Sequence, residues 1–240
     1  MRLGAGHPYF AGHFPGRPIL PGVAQLALLE RHLGCRLSGV RSLRFRRPVA
    51  PDEEIAVAAR NEEPGVLRFS LEAGGMPASD GAVFTGSGRA IPDAEAIDAP
   101  DEGAWRDASA LLPHGEGARL LTELRCGGSL TASGRIRVPD HSPLRNGGRV
   151  PGFLVLEMAA QTAAGLEAQA RNADGRPMRT GYLVSARDCV WRPSLPRGGY
   201  EAQVSCSGVS GALALYRFVV RQSGTILAAG GIGTWKDPGG

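Results

Sequence analysis

Lysine is nearly missing from this chain: Lys236 is the single lysine among 27 basic residues. The rest are arginines, set in a background rich in alanine and glycine, which reads as genome composition rather than selection for nucleic acid. Aromatic residues are scarce at 6% and do not interleave with the arginines, so a stacking platform for single strands is disfavoured and no nucleic-acid partner is expected. Cysteine is also sparse. Cys35, Cys126, Cys189 and Cys206 form no C-x-x-C pair, which argues against a disulfide framework and a zinc site and leaves free, structural thiols. No run approaches the roughly 18 consecutive apolar residues of a membrane span. The opening "MRLGAGHPYF" has no apolar core of a secretory signal. These absences lead to the expectation of a soluble, cytoplasmic protein, whose net charge of +4 gives a mildly basic surface able to attract an acidic partner.

What the sequence does contain is a repeat of itself. "PGVAQLALLERHLG" from Pro21 has a counterpart in "PGFLVLEMAAQTAAG" from Pro151, and Arg47-Pro48-x-x-Pro51 has one in Arg192-Pro193-x-x-Pro196. Both copies then continue into alternating, strand-like segments such as "VLRFSLEA" and "LALYRFVV". Between them, residues 91–110 carry six acidic residues up to Asp107 and no apolar periodicity, as a linker does. The expected division is therefore a first unit at 1–91, an acidic linker at 92–109 and a second unit at 110–240. The second copy is fuller, with two strand candidates in "LLTELRCGGSLTASGRIRV" ahead of its helix. The first copy is expected either to borrow a strand or to begin further upstream. Each unit reads as α+β, one helix of about 17–22 residues followed by antiparallel strands. In the first helix Leu26, Leu29, Leu33 and Leu37 recur at helical spacing and are expected to face the core. The second is apolar on nearly all sides, as a helix wrapped by a sheet would be.

Two polar residues stand out against this pattern. His13 sits in "GHFPGRPILPG", a loop stiffened by proline and opened to close approach by glycine, directly ahead of a helix N-terminus that favours developing negative charge. The plain alternative is an exposed loop histidine. Glu157 lies mid-helix with Phe153, Leu154, Ala160 and Gln161 as its three- and four-residue neighbours, so its own helix offers no cation. In such a setting a carboxyl group has its pKa raised and becomes a proton donor; otherwise it occupies a narrow wet strip with Gln161. Base, anion hole and acid are the parts needed to abstract a proton next to a carbonyl, with the backbone NH of Gly22 available for the oxygen.

"FAGHFPGRPILPGV" and "VRSLRFRRPVAPDEEI" closely resemble the FabA/FabZ-type 3-hydroxyacyl-acyl-carrier-protein dehydratases of the hotdog fold. The second half, from "LLPH" through "DHSPLRNGGRVPGFLVLEMAAQ" to "GYLVSARDCVWRPSLPRG", resembles the related dehydratase-like proteins of aryl polyene clusters, and the first half their partner subunit. The resemblance implies a tandem hotdog, each unit a long helix wrapped by a curved antiparallel sheet, with active sites between units whose histidine and acid come from opposite copies. In the family pattern the acid stands fourteen residues after the histidine, where the first copy has Ala27. The second copy has Glu157, while its loop histidine, His141, lies sixteen residues upstream in an altered loop. The implied arrangement is one competent site per chain from His13 and Glu157, with His141 opposite Ala27 as a degenerate second one. Glu30 is too far along its helix to replace the missing acid.

The resemblance further implies that His13 removes the C2 proton, Gly22, Phe14 and Pro21 contact the substrate, and Glu157 protonates the leaving hydroxyl. Arg44, Arg46 and Arg47 would dock an acyl carrier protein. No metal or other cofactor is required, and a further hotdog subunit or a homo-oligomer is compatible with the fold. The rival readings are a catalytically silent acyl-binding partner subunit and a hotdog thioesterase.

Overall fold

Alternation of apolar and polar residues sets the sheet. In Val66–Ala73 the side chains of Phe69, Leu71 and Ala73 are buried while Arg68, Ser70 and Glu72 are exposed, the period-two signature of a strand with one face on a core. The computed structural model describes residues 1–86, 89–91, 97, 103–145, 148–175 and 180–236. The first unit contains helix α1 (Gly22–Leu33) and strands β1 (Leu37–Phe45), β2 (Ile55–Glu63), β3 (Val66–Ala73) and β4 (Met76–Thr85). The second contains β5 (Arg106–Asp107), β6 (Leu121–Gly127), β7 (Thr131–Arg137), β8 (Val150–Pro151), helix α2 (Leu154–Ala173), β9 (Gly181–Trp191), β10 (Ser194–Leu195), β11 (Gly199–Ser210), β12 (Leu213–Gln222) and β13 (Thr225–Lys236).

Eleven strands form one sheet in the order β2-β3-β4-β1-β9-β13-β12-β11-β7-β6-β5, and β8 and β10 make a separate pair. The two units meet at β1 and β9, which run antiparallel with Val40 opposite Cys189 and Arg44 opposite Ser185. Joining the copies edge to edge removes two exposed sheet edges from water. Trp191, fully buried, strengthens the seam by donating its indole NH to the carbonyl of Leu37 across it at 2.8 Å. Helix α2 packs against β6, β7, β9, β11, β12 and β13, which accounts for its apolar circumference. Among the described residues no helix is long and apolar enough to cross a membrane. All four cysteines are free; burial pushes the Cys189 thiol up to about 12, in keeping with a structural role.

Two sequence expectations need correction here. Helix α1 has 12 residues rather than 17–22, because Gly34 takes a left-handed conformation (φ 64°) and closes the helix with its NH on Glu30 O. Leu37 therefore opens β1 instead of extending the helix stripe. The Glu30 carboxylate fixes that turn by accepting the Leu37 NH at 2.8 Å. The linker is also shorter at its C-terminal end than 92–109: Arg106 and Asp107 pair with Leu124 and Glu123 of β6, and Ala108 is fully buried. Much of the remaining linker lies outside the described residues. At the other end of the first unit, residues 1–3 run beside 52–55, with Ile55 NH on Met1 O at 2.7 Å and Asp52 NH on Leu3 O at 2.8 Å.

Candidate active site

The loop ahead of α1 holds His13 from two sides. Its Nδ1 lies 3.1 Å from the carbonyl oxygen of Ile19, and the NH of Ile19 returns a bond to His13 O at 2.9 Å. A carbonyl only accepts, so Nδ1 carries the proton and Nε2 is left with its lone pair. Burial drives the His13 pKa below the ordinary imidazole value; the Glu157 charge opposes this and His114 reinforces it. A neutral imidazole with a free Nε2 is a base.

Helix α2 supplies Glu157, buried at 7% exposure, and Gln161 one turn later. The Gln161 amide is used on both ends: Nε2 donates to Glu157 Oε1 at 2.8 Å and to Ala118 O at 2.9 Å, while Oε1 accepts from Leu120 NH at 2.7 Å and Leu121 NH at 3.2 Å. This fixes the carboxylate against the segment that precedes β6. The same segment brings in a residue not singled out from sequence. His114 Nε2 stands 3.5 Å from Glu157 Oε1, and the His114 ring lies 5.5 Å from that of His13. Gly115 NH donates to Gly12 O at 2.8 Å, so the start of the second unit is clipped directly to the histidine loop of the first. Phe14 stacks on His13 at 4.2 Å and presents its edge to His114 at 4.8 Å.

The raised pKa expected for Glu157 is a correction. Burial does push it up and is the largest influence, but His114, His13 and Gln161 together pull it down, and the net direction is below the ordinary carboxylate value. Counting neighbours along α2 alone missed the imidazoles that arrive from elsewhere in the chain.

His13, His114 and Glu157 place their donor atoms within 4.8 Å of one another at one wall of a cavity of about 400 Å³. From there the cavity runs along α2 past Ala160 and Ala164 to Glu167, about 15 Å along the helix axis at 1.5 Å per residue. Glu167 is paired with Lys236 at 3.4 Å and accepts the Tyr216 hydroxyl, so an apolar-walled channel has a polar, internally satisfied end. Gly22, the first residue of α1, also lines the cavity. A Cβ there would stand 2.8–3.1 Å from the Phe45 ring, so only glycine lets this helix start come so close to β1. Gly152, its counterpart in the second copy, is pressed in the same way against the Trp191 ring and Arg192 O.

The other expected site residues are distributed as follows. Phe14 packs on the His13 and His114 rings and Pro21 is the N-cap of α1, but neither is among the residues that line the cavity. Arg46 and Arg47 line the cavity, yet each has an acidic partner: Arg46 with Asp80 at 2.8 and 3.0 Å, and Arg47 with Glu53. Arg44 is exposed. Arg17, not expected from the sequence, crosses to the second unit and donates to the Tyr182 hydroxyl at 3.2 Å. Ala27 lines a different cavity together with Glu30, Leu144, Arg145 and Phe153. His141 is not opposite Ala27. It is exposed, with its Nε2 beside Gly117, because Arg145 pulls the loop inward through Pro139 O at 2.8 Å and Val138 O at 2.6 Å, and Leu144 and Arg145 take the inward position.

One continuous antiparallel sheet built from two sequence-related halves, each with its own helix and only α2 lying centrally under the strands, with a site at the seam, defines a double-hotdog protein. Solved structures agree. The dehydratase domain of PpsC from Mycobacterium tuberculosis, in complex with C12:1-CoA, is similar with a TM-score of 0.73 at 15% identity over 98% of this chain and 92% of that one. The dehydratase heterocomplex ApeI:P from Xenorhabdus doucetiae is similar over 56% of this chain and 93% of that one, with a TM-score of 0.51 and 18% identity. The family model described as ApeI dehydratase matches residues 1–82, and the one described as ApeP dehydratase matches residues 106–238. The chain belongs to the ApeP-like dehydratase family, here with an ApeI-like first half fused ahead of it. Among curated proteins, the 3-hydroxyacyl-[acyl-carrier-protein] dehydratase FabZ of Mannheimia succiniciproducens is 33% identical over 97 residues, covering 34% of this chain and 62% of that protein. FabZ of Verminephrobacter eiseniae is 37% identical over 67 residues, covering 21% of this chain and 45% of that protein. The matches thus span about half of these relatives' own length.

Proposed function

We propose that this chain dehydrates 3-hydroxyacyl thioesters carried on acyl carrier protein to trans-2-enoyl thioesters, in fatty-acid-like or aryl polyene synthesis in the cytoplasm, at one composite site per chain. The observation that carries the reading is the convergence of His13 from the first copy and Glu157 from the second in one cavity. His13 Nε2 takes the C2 proton. The NH groups at the start of α1, that of Gly22 foremost, face the enolate-like thioester oxygen, where the helix dipole favours negative charge. Glu157 passes a proton to the departing 3-hydroxyl, water leaves, and the double bond remains. The acyl chain runs beside Ala160 and Ala164. Each proton lost by the substrate carbon is matched by one delivered to the oxygen, so the reaction needs no redox partner. ApeI and ApeP are the components of a heterocomplex in X. doucetiae; in the present reading the fusion supplies both within one polypeptide, and association with further hotdog subunits is compatible with it.

Incubation with a 3-hydroxybutyryl thioester, with products separated by mass, tests the reading. A 2-enoyl thioester supports it; a free hydroxy acid would identify a thioesterase, and unchanged substrate a silent acyl-binding unit. Carrier docking is tested separately. Reversing the charge of Arg44 and Arg46 is expected to raise KM for carrier-bound substrate while leaving a small thioester surrogate unaffected, since an acidic carrier depends on the basic surface and the surrogate does not. Equal effects on both substrates would remove these arginines from docking.

A further inference from the structure

His114 has no part in the two-residue scheme, yet it is the closest titratable neighbour of Glu157 outside α2. Its ring is buried at 9% exposure. Nε2 faces Glu157 Oε1 at 3.5 Å, while Nδ1 is buried with no hydrogen-bond partner among the described residues. A buried, half-unpartnered imidazole is costly to keep unless it is used. The remaining groups around the pair are His13 and Phe14 from the first-unit loop and Gln161 from α2. The other ionisable side chains of the cavity are Arg17, Arg46, Arg47, Tyr182 and, at its far end, Glu167. Among the described ion pairs, Glu157 is joined to His114, while Arg46, Arg47 and Glu167 are joined to Asp80, Glu53 and Lys236.

Resting on the dehydratase reading above, we propose that His114 is a positioning residue that holds the proton Glu157 delivers. The His114–Glu157 pair carries one proton between an imidazole and a carboxylate. During dehydration His13 Nε2 gains the C2 proton as the C2–H bond breaks. The C3–O bond breaks as the pair's proton passes through Glu157 to that oxygen, forming water. His13 is then protonated and the pair is one proton short; return of the proton from His13 to the pair through the product water resets the site, with no outside acid or base. A proton shared between two basic atoms 3.5 Å apart is held by both groups, and removing the imidazole leaves the carboxylate to hold it alone, so it is lost at lower pH.

The test is the pH dependence of kcat/KM in His114→Asn and His114→Gln, with thermal unfolding measured alongside. The expected result is a drop of about ten- to hundredfold near neutrality, less than the 10²–10⁴ a direct acid–base group supplies, together with a basic limb moved down by about one pH unit or more. Two variants guard against one that does not fold, since each presents a different amide to Glu157. A folded variant whose activity falls with its pH limbs unmoved would overturn the proposal, as would one with wild-type activity and profile. Failure of the dehydratase reading itself is distinguishable, because the wild-type chain would then form no enoyl product at any pH.

Discussion

Replacing His13 by alanine is expected to abolish measurable dehydration, a loss of about 10²–10⁴ in kcat for a general base alone and more where base and acid act as a unit. The reason lies in how the imidazole is held. Its Nδ1 is committed to Ile19 O, so Nε2 has one chemical task. Because burial lowers its pKa and the neutral form is the active one, activity of the wild-type chain should persist on the acid side to below the ordinary imidazole value before it falls. Steady-state rates from pH 5 upward check both points. His141→Ala is the matched control: this histidine is exposed and lies outside the cavity, and its loss should leave most activity. A His13→Ala variant that retains dehydration would move the base elsewhere.

Glu157→Gln is expected to be comparably damaging, again about 10²–10⁴ in kcat, with little loss of fold. The substitution keeps the size of the side chain and a carbonyl oxygen able to accept the Gln161 amide, which donates to Glu157 Oε1 at 2.8 Å. What it removes is the ability to carry a proton to the leaving hydroxyl and the charge that faces both imidazoles. Substrate binding along Ala160 and Ala164 is untouched, so the effect belongs in kcat rather than KM. A near-normal kcat in a folded Glu157→Gln protein would show that the hydroxyl obtains its proton from another group.

Much of this was legible in the sequence, for identifiable reasons. The Pro-Gly helix starts at Pro21 and Pro151 mark equivalent points of the two copies, and from them Ala27 and Glu157 fall at the same place on their helices. That register, together with the proline-rich loop around His13, leads the sequence to draw the histidine from the first copy and the acid from the second, and in the structure these two side chains line one cavity. Three things were not legible. The end of α1 depended on a single left-handed glycine, Gly34, which outweighed a leucine period running on to Leu37. The direction of the Glu157 pKa depended on imidazoles 144 and 43 positions away in the chain, beyond any view along one helix. His114 was missed for the same reason: it gains meaning only when Gly115 bonds to Gly12 and draws the end of the linker over the first unit's loop. The one local hint was its Pro113-His114-Gly115 setting, a stiff-then-open context like that around His13.

The central claim is that both halves of a single chain build one site, and mixing inactive variants tests it most directly. His13→Ala and Glu157→Gln proteins, co-expressed so that chains can pair freely, each retain one half of the site on separate polypeptides. With the two groups drawn from the same chain, the mixture should remain as inactive as either variant alone. Recovery of enoyl-thioester formation in the mixture would show that histidine and acid meet across different chains, and would contradict the account.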